Sequence, residues 1–350
     1  MEFITKRILE WYKINKRDLP WRGESDPYKV WISEIILQQT RVAQGYEYYL
    51  RFIERFPNVN TLATAPLDDV LRLWQGLGYY TRARNIHKAA NQIVNNFSGE
   101  FPRDYRNVIS LSGVGAYTAA AICSLAFDKP HAVLDGNVYR VLSRIFAIKT
   151  PVDTTEGARI FNALADSLLD KKHPGEYNQA IMDFGALQCT PAAAKCDSCP
   201  LAEICQSYMQ GNIYEYPVKL QKVKVKERYF NYILVRSGEY TFIKRREDKD
   251  IWRNLYEFPC LETVKSIDEH ELIESDFFRN LFGKTEVEFM KISGIYKHVL
   301  THRRIFARFY EVNIADVHYE ITGFLKIKRS EIDRYAIPRL IEIYIEGQGI

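Results

Sequence analysis

The sequence predicts two folds in one chain: an all-α unit up to residue 211 and an α+β domain after it. Three observations predict this. Apolar residues recur at three- and four-residue spacing from Met1 to about Gly211. Beyond Gly211 the apolar runs turn short and strand-like. Near the end of the helical part, four of the six cysteines crowd into residues 189–205. In a reducing compartment such a cluster points to metal before disulfides. The expected organisation is a helical catalytic domain over 1–211 that includes the cysteine loop 189–205, a linker over 212–227, and a second domain over 228–350.

The helical runs come first. Trp31, Ile32, Ile35 and Ile36 share one face, as do Ala119, Ala120, Ile122 and Cys123, and later Val138, Val141, Leu142 and Ile145. Gly, Pro and Asn breaks separate them, at Phe56-Pro57-Asn58, Ser98-Gly99 and Thr150-Pro151-Val152-Asp153. The most specific break is Leu111-Ser112-Gly113-Val114-Gly115, between a helix ending near Leu111 and one over Ala116–Phe127. Gly113 and Gly115 permit a tight turn and let another backbone come close. The turn opens onto a helix N-terminus, whose free N–H groups favour a phosphate. An ordinary packing hairpin fits the same residues.

Two carboxylates stand out. Glu34 sits in Val30-Trp31-Ile32-Ser33-Glu34-Ile35-Ile36-Leu37, where burial would raise its pKa and keep a proton available near neutral pH. A general acid needs that property; a glutamate on a solvated helix face is the plainer alternative. Asp135, in Leu134-Asp135-Gly136-Asn137, precedes a helical run and reads as an N-cap. The helix dipole would also hold its carboxylate ionised. One neutral and one charged acid is the division of labour that glycosidic bond cleavage uses.

Cys189, Cys196, Cys199 and Cys205 have the spacing C-x6-C-x2-C-x5-C. The C-x2-C pair lets two thiolates reach one centre, and the outer cysteines complete four ligands. Zinc and a four-iron cluster both fit that spacing. Lys195 lies in the loop, placed to meet a phosphate or simply solvated.

Strand-like runs follow at Arg228–Val235, Tyr240–Lys244, Lys291–His298, Ile305–Val312 and Gly323–Lys328, with helices near Asp268–Leu281 and Pro338–Ile345. Lys219, Lys222, Lys224 and Lys226 lead into the first strand. With 47% hydrophobic and 26% charged residues, disordered and disulfide-scaffold classes are excluded. The net charge of +4 permits a polyanion partner without demanding one. No apolar run approaches the roughly 20 residues that cross a bilayer, and Met1–Asp18 has no secretory pattern. The expectation is a cytoplasmic protein with no membrane association.

Taken together, the hairpin, the downstream aspartate and the four-cysteine loop resemble the helix-hairpin-helix DNA glycosylases that carry an iron–sulfur cluster. The likeness narrows to the MutY-type adenine DNA glycosylases on five stretches: Leu19-Pro20-Trp21-Arg22, residues 30–40, Trp74-Gln75-Gly76-Leu77-Gly78-Tyr79-Tyr80, Leu134–Val138, and Tyr177-Asn178-Gln179-Ala180. The resemblance implies a substrate, adenine mispaired with 8-oxoguanine or guanine in double-stranded DNA, and extrusion of that adenine into a pocket. It implies that Glu34 protonates the base at N7 and that Asp135 stabilises the sugar cation or bonds to it transiently. Tyr117 and Asn137 match supporting catalytic positions. Leu19, Trp21, Arg22 and Gln179 match the adenine pocket, and Gln39 and Tyr79 match residues that wedge beside the lesion pair. Gly113 and Gly115 become a DNA-backbone grip, and the four cysteines the ligands of a structural 4Fe-4S cluster. A monomer associated with the bacterial nucleoid is implied as well.

The second domain resembles the Nudix-like domain of the same family, marked by Trp252-Arg253-Asn254-Leu255-Tyr256-Glu257-Phe258-Pro259. The Glu-rich metal helix of true Nudix hydrolases is missing, so pyrophosphatase activity is not expected. The family's Phe-Ser-His lesion-reading loop corresponds here to Leu300-Thr301-His302, with Leu300 departing from the aromatic. Tyr117 stands where bifunctional relatives of the endonuclease III type have a Schiff-base lysine, and a phenol forms no imine. A bifunctional glycosylase/lyase and a non-catalytic DNA-binding protein with a structural metal are the alternatives. The first is disfavoured by Tyr117, the second by an acid in the apolar run around Glu34.

Overall fold

The computed structural model describes residues 1–220 and 225–348; Lys222 and Lys224 of the linker lie outside them. The first helices are α1 (Glu2–Asn15), α2 (Pro27–Leu37), α3 (Val42–Arg55), α4 (Val59–Thr64), α5 (Leu67–Leu73) and α6 (Thr81–Asn96). Then come α7 (Tyr105–Ile109), α8 (Ala116–Phe127), α9 (Gly136–Ile145), α10 (Thr155–Leu168), α11 (Pro174–Leu187) and α12 (Gln206–Met209). The strand-rich part holds β1 (Lys226–Arg236), β2 (Tyr240–Arg245), β3 (Tyr256–Glu257), β4 (Cys260–Thr263), α13 (Glu269–Ile273) and α14 (Asp276–Phe282). It ends with β5 (Glu288–Ile292), β6 (Tyr296–Leu300), β7 (Arg303–Asn313), β8 (Leu325–Lys328) and α15 (Arg339–Glu346).

Two compact units result. One is Met1–Ala65 with Asn85–Lys222; the other is Pro66–Arg84 with Val223–Ile350. The sequence assigns residues 66–84 to the helical domain because their periodicity is helical. In the structure α5 and the turn after it belong with the strands: Asp68 accepts from Arg245 at 3.0 Å, and Gln75 donates to Glu342 at 3.0 Å.

In the first unit α8 and α2 are apolar nearly all round, and both are buried. They pack together, while α11 packs on α1, α8 and α9. The core there gathers Ile8, Val138, Val141, Phe161, Tyr177 and Phe184. The hairpin turn needs its first glycine. Gly113 has φ +77°, and an added Cβ would lie 2.6 Å from the Asn85 Cβ. Gly115 is extended and caps α8. Asp135 is the N-cap of α9, accepting from Val138 N–H at 2.7 Å.

In the second unit one sheet has the order β4-β1-β7-β5, with β6 also on β7, and a smaller one the order β3-β2-β8. β1 and β7 run parallel from Lys226↔Arg303 to Arg236↔Asn313, and all other pairs are antiparallel. Ile233, Phe242, Leu272, Phe282 and Val312 form the core between sheet and helices. Two expected elements are divided. The strand expected over 291–298 breaks between β5 and β6, where the Ser293 hydroxyl accepts from Phe309 N–H at 2.9 Å in place of a ladder carbonyl. The helix expected over 268–281 breaks because Ser275 caps a second helix, accepting from Phe278 N–H at 3.2 Å.

Candidate active site

One cavity of about 810 Å³ opens in the first unit, within the size range of roughly 300–1,000 Å³ that ligand pockets occupy. Its wall contains Glu34, Asp135, Tyr117 and Asn137, the four candidate catalytic residues, and also Leu19, Trp21, Arg22, Gln39 and Gln179. Residues from five separate stretches of sequence therefore converge on one hollow.

Glu34 is 8% exposed. Burial pushes its carboxyl up, opposed by a hydrogen bond from Tyr117 and by the charge of Arg22; Asp135 pushes it further up. The Tyr117 hydroxyl donates to Glu34 Oε2 at 2.6 Å. Tyr117 is itself driven well above its ordinary value, first by burial and then by both carboxylates, so it stays a phenol and a donor.

Asp135 uses both oxygens. Oδ1 takes Val138 N–H, and Oδ2 accepts from Asn137 Nδ2 at 2.7 Å. The helix terminus favours the ionised carboxylate, and burial acts against it. Burial raises the Asp135 pKa, with Val138, Asn137 and Arg140 opposing it. Desolvation of a group this enclosed outweighs one helix terminus. Arg140 completes the row, donating to Asn137 Oδ1 at 2.9 Å, to the Gly185 carbonyl at 2.6 Å and to the Cys189 carbonyl at 2.8 Å.

Sequence reasoning missed Arg17 and Asp183. Asp183 is fully buried and binds both Arg17 and Arg22, the latter at 2.6 Å. Its signal was the one that exposed Glu34, a lone acid in an apolar helical run, Ala180-Ile181-Met182-Asp183-Phe184. By holding Arg22, Asp183 keeps a positive charge near Glu34 without a direct ion pair. Gln179 is oriented by Tyr12, whose hydroxyl donates to its Oε1 at 3.0 Å; among the described residues its amide nitrogen has no acceptor. Trp21 is buried edge-on against Tyr49, 5.3 Å between ring centres. Among the described residues no lysine lines the cavity.

The two candidate wedge residues share a backbone feature. Gln39 has φ +55° and Tyr79 φ +48°, a left-handed conformation that side chains other than glycine's seldom adopt and that clusters at functional sites. In the second unit Thr301 and His302 form the exposed two-residue turn closed by the Leu300↔Arg303 pair. The Tyr79 hydroxyl lies 2.5 Å from Thr301 Oγ1.

Cys189, Cys196, Cys199 and Cys205 surround one small apolar pocket of about 30 Å³, together with Arg144, Phe184 and Leu201. Among the described residues no three acids, histidines or cysteines close on a point that would hold a single ion. Donors already face the sulfurs: Arg144 Nη1 reaches Cys189 Sγ at 3.4 Å, and Leu201 N–H reaches Cys199 Sγ at 3.4 Å. Four thiols around a common hollow, with N–H donors to sulfur, fit a cluster of several metal atoms. Lys195 is exposed beside them, its N–H donating to the Gln188 carbonyl at 3.0 Å.

Residues 32–164 match the HhH-GPD superfamily of base excision DNA repair proteins, and residues 231–347 match the NUDIX domain. The adenine DNA glycosylase of Buchnera aphidicola subsp. Baizongia pistaciae (strain Bp) is 37% identical over 302 residues, 85% of this chain and 83% of that protein. The chain belongs to the adenine DNA glycosylase family. A second member of the family, from Buchnera aphidicola subsp. Schizaphis graminum (strain Sg), is 41% identical over 76% of this chain and 77% of its own. A solved thermostable thymine-DNA glycosylase superposes with a TM-score of 0.56 at 29% identity, covering 59% of this chain and 95% of that one. The family resemblance, the helical glycosylase fold and the Nudix-like second domain expected from sequence are thereby borne out. Among the described residues no helix is long and apolar enough to cross a membrane.

Proposed function

We propose that this chain removes adenine mispaired with 8-oxoguanine, or with guanine, from duplex DNA by hydrolysing its N-glycosidic bond, and leaves the strand uncut. The observation that carries the mechanism is the pairing of Glu34 with Asp135 in one cavity, each carboxyl raised by burial. The adenine is extruded into that cavity. The Tyr117 hydroxyl occupies Glu34 Oε2, so the proton sits on the other oxygen, from which it passes to adenine N7. The base departs neutral. Asp135, ionised at the moment of cleavage, faces the oxocarbenium-like sugar and stabilises it or bonds to it transiently. Gln179 and Arg22 supply donors to the base, and Leu19 and Trp21 flank it with apolar surface.

Gln39 and Tyr79 wedge into the duplex, where an aromatic plate replaces lost stacking worth roughly 1–3 kcal/mol per base. Thr301 and His302 read the 8-oxoguanine, and Gly113 with Gly115 grips the DNA backbone. Cys189, Cys196, Cys199 and Cys205 would hold a structural 4Fe-4S cluster in the loop bearing Lys195. The chain acts as a monomer in the cytoplasm at the nucleoid. With Tyr117 in the lysine position and, among the described residues, no lysine on the cavity wall, no Schiff base forms.

The test is incubation with duplexes carrying adenine opposite 8-oxoguanine, with and without alkali. Strand breaks are expected only after alkali. Breaks of equal yield without alkali, or an adduct trapped efficiently by borohydride, would refute the monofunctional chemistry. For the cluster, the purified protein is expected to absorb near 400 nm and to lose that band when Cys199 is replaced by serine. A colourless protein holding one zinc per chain would overturn the assignment.

A further inference from the structure

Residues 246–254 of the second unit include the Trp252-Arg253-Asn254 motif and have no task in the chemistry above. Asp250 is their centre. Its carboxylate accepts from Arg228 at 2.9 Å, from Arg246 at 2.8 Å and from Arg303 at 2.6 Å. Burial opposes its charge, yet the Ile251 N–H and the guanidiniums of Arg228 and Arg303 hold the carboxyl down at about 2. Arg228 and Arg246 each have a second acid, Glu262 at 2.6 Å and Glu257 at 2.5 Å. Among the described residues no second carboxylate reaches Arg303.

Arg303 is the first residue of β7 and follows the Thr301-His302 turn directly. The turn itself is pinned by Lys226 N–H, which donates to the His302 carbonyl at 3.0 Å, and its two flanks pair as Leu300↔Arg303. The same loop also reaches the start of α6, which follows the tyrosine that meets the turn. Arg253 N–H donates to the Asp250 carbonyl at 3.2 Å, and the Arg253 carbonyl accepts from Arg84 Nη1 at 2.7 Å. Arg84 lies in the first turn of α6, just after Tyr79, whose hydroxyl meets Thr301 Oγ1. Within one unit, hydrogen bonds join Asp250 to Arg303, Thr301 to Tyr79 and Arg84 to Arg253, and the chain itself joins Thr301 to Arg303 and Tyr79 to Arg84.

We propose that Asp250 is a positioning residue for lesion recognition: by holding Arg303 it fixes the Thr301-His302 turn against Tyr79 and sets the preference for 8-oxoguanine over guanine opposite adenine. This rests on Thr301 and His302 as the residues that read the lesion. The two purines differ at O8 and at the N7 proton, so discrimination depends on one or two hydrogen bonds. Such bonds weaken steeply with angle, and an exposed two-residue turn holds its angle only if its flanks are anchored. Asp250 touches neither base nor cavity and acts through Arg303.

The test measures single-turnover adenine release by the full-length protein from duplexes with 8-oxoguanine or guanine opposite adenine. The variants are D250N, R303A and D250N/R303A. R303A leaves Asp250 paired to Arg228 and Arg246, so it preserves the network should D250N unfold; a melting curve reports on that. The rate opposite 8-oxoguanine is expected to fall about tenfold with the rate opposite guanine unchanged. The double variant is expected to be no worse than either single one, because the two residues act as a unit. Equal loss on both duplexes, additive losses in the double variant, or wild-type discrimination by D250N would overturn the clamp. A wild-type protein without any preference for 8-oxoguanine fells the lesion-reading assignment together with the clamp, whereas a preference that survives D250N fells the clamp alone.

Discussion

Glu34→Gln is expected to slow adenine release by about 10²–10⁴-fold, the usual contribution of a positioned general acid, and to make the protein more stable at neutral pH. The first effect follows from geometry. Glutamine keeps the length and still accepts from Tyr117 O–H through its Oε1, as Glu34 Oε2 does at 2.6 Å, but it has no acidic proton to give. The second follows from the direction of the shift. Burial raises the Glu34 pKa above its ordinary 4.5, so the folded chain binds a proton more tightly than the unfolded one. Stability is then greatest below the ordinary value and is lost as pH rises through the folded value. A neutral amide carries no such loss. Its melting temperature at pH 7 should exceed that of the wild type by roughly 2–4 °C per kcal/mol recovered, and the gap should close toward pH 4. Single-turnover rates and melting curves across pH check both. A variant that releases adenine at the wild-type rate would show that another group protonates the base.

The same shift shapes the pH dependence of the reaction. Glu34 must be protonated, so activity falls as pH rises through its raised pKa. Asp135 must be ionised, so activity falls as pH drops through its own raised value. The two carboxyls sense each other, and the limbs of the resulting bell belong to the pair. Glu34→Gln should erase the alkaline limb.

How much of this was written in the chain depends on how local each feature is. The hairpin was legible because Gly113 occupies a backbone conformation and a close approach to Asn85 that only glycine meets, and α8 begins at Ala116, the residue after Gly115. Glu34 and Asp135 were legible for opposite reasons: an acid flanked by apolar residues on both sides is a candidate for burial, although a solvated helix face stayed open, and an Asp before a helix has an N–H to cap. Their meeting in one cavity was not legible from spacing, since about a hundred residues separate them. The resemblance supplied it. Asp135's raised pKa escaped because no continuous apolar run surrounds it as one surrounds Glu34; its burial comes from cavity residues remote in sequence. Breaks inside β5–β6 and α13–α14 escaped because Ser293 and Ser275 look like ordinary members of their runs until their hydroxyls replace backbone partners. The grouping of Pro66–Arg84 with the strands escaped entirely. Covalent order and helical period say where a segment lies along the chain, and Asp68 with Arg245 says what it touches.

Asp135→Asn is expected to be at least as damaging as the loss of Glu34, with a fall of about 10³-fold or more in single-turnover adenine release and little loss of DNA binding. An oxygen of asparagine still accepts from Val138 N–H, now at 2.7 Å, and asparagine caps a helix as well as aspartate does. The N-terminus of α9 therefore survives. What disappears is the negative charge that the cationic sugar needs, at a site enclosed enough for that charge to act strongly. A second loss is built into the neighbours. Asp135 Oδ2 accepts from Asn137 Nδ2, so the new amide nitrogen would face another donor. Asn137 relieves that clash only by turning its amide over, which withdraws the oxygen now held by Arg140 at 2.9 Å and sets Arg140 loose from one of its four acceptors. Asp135→Glu keeps the charge but displaces it by one methylene. If placement matters as much as charge, that variant should also be slow, and a nearly active glutamate variant beside a dead asparagine one would mean that charge alone suffices. An asparagine variant within tenfold of wild type would leave the sugar cation without its assigned partner, and the division of labour between the two buried carboxyls would have to be abandoned.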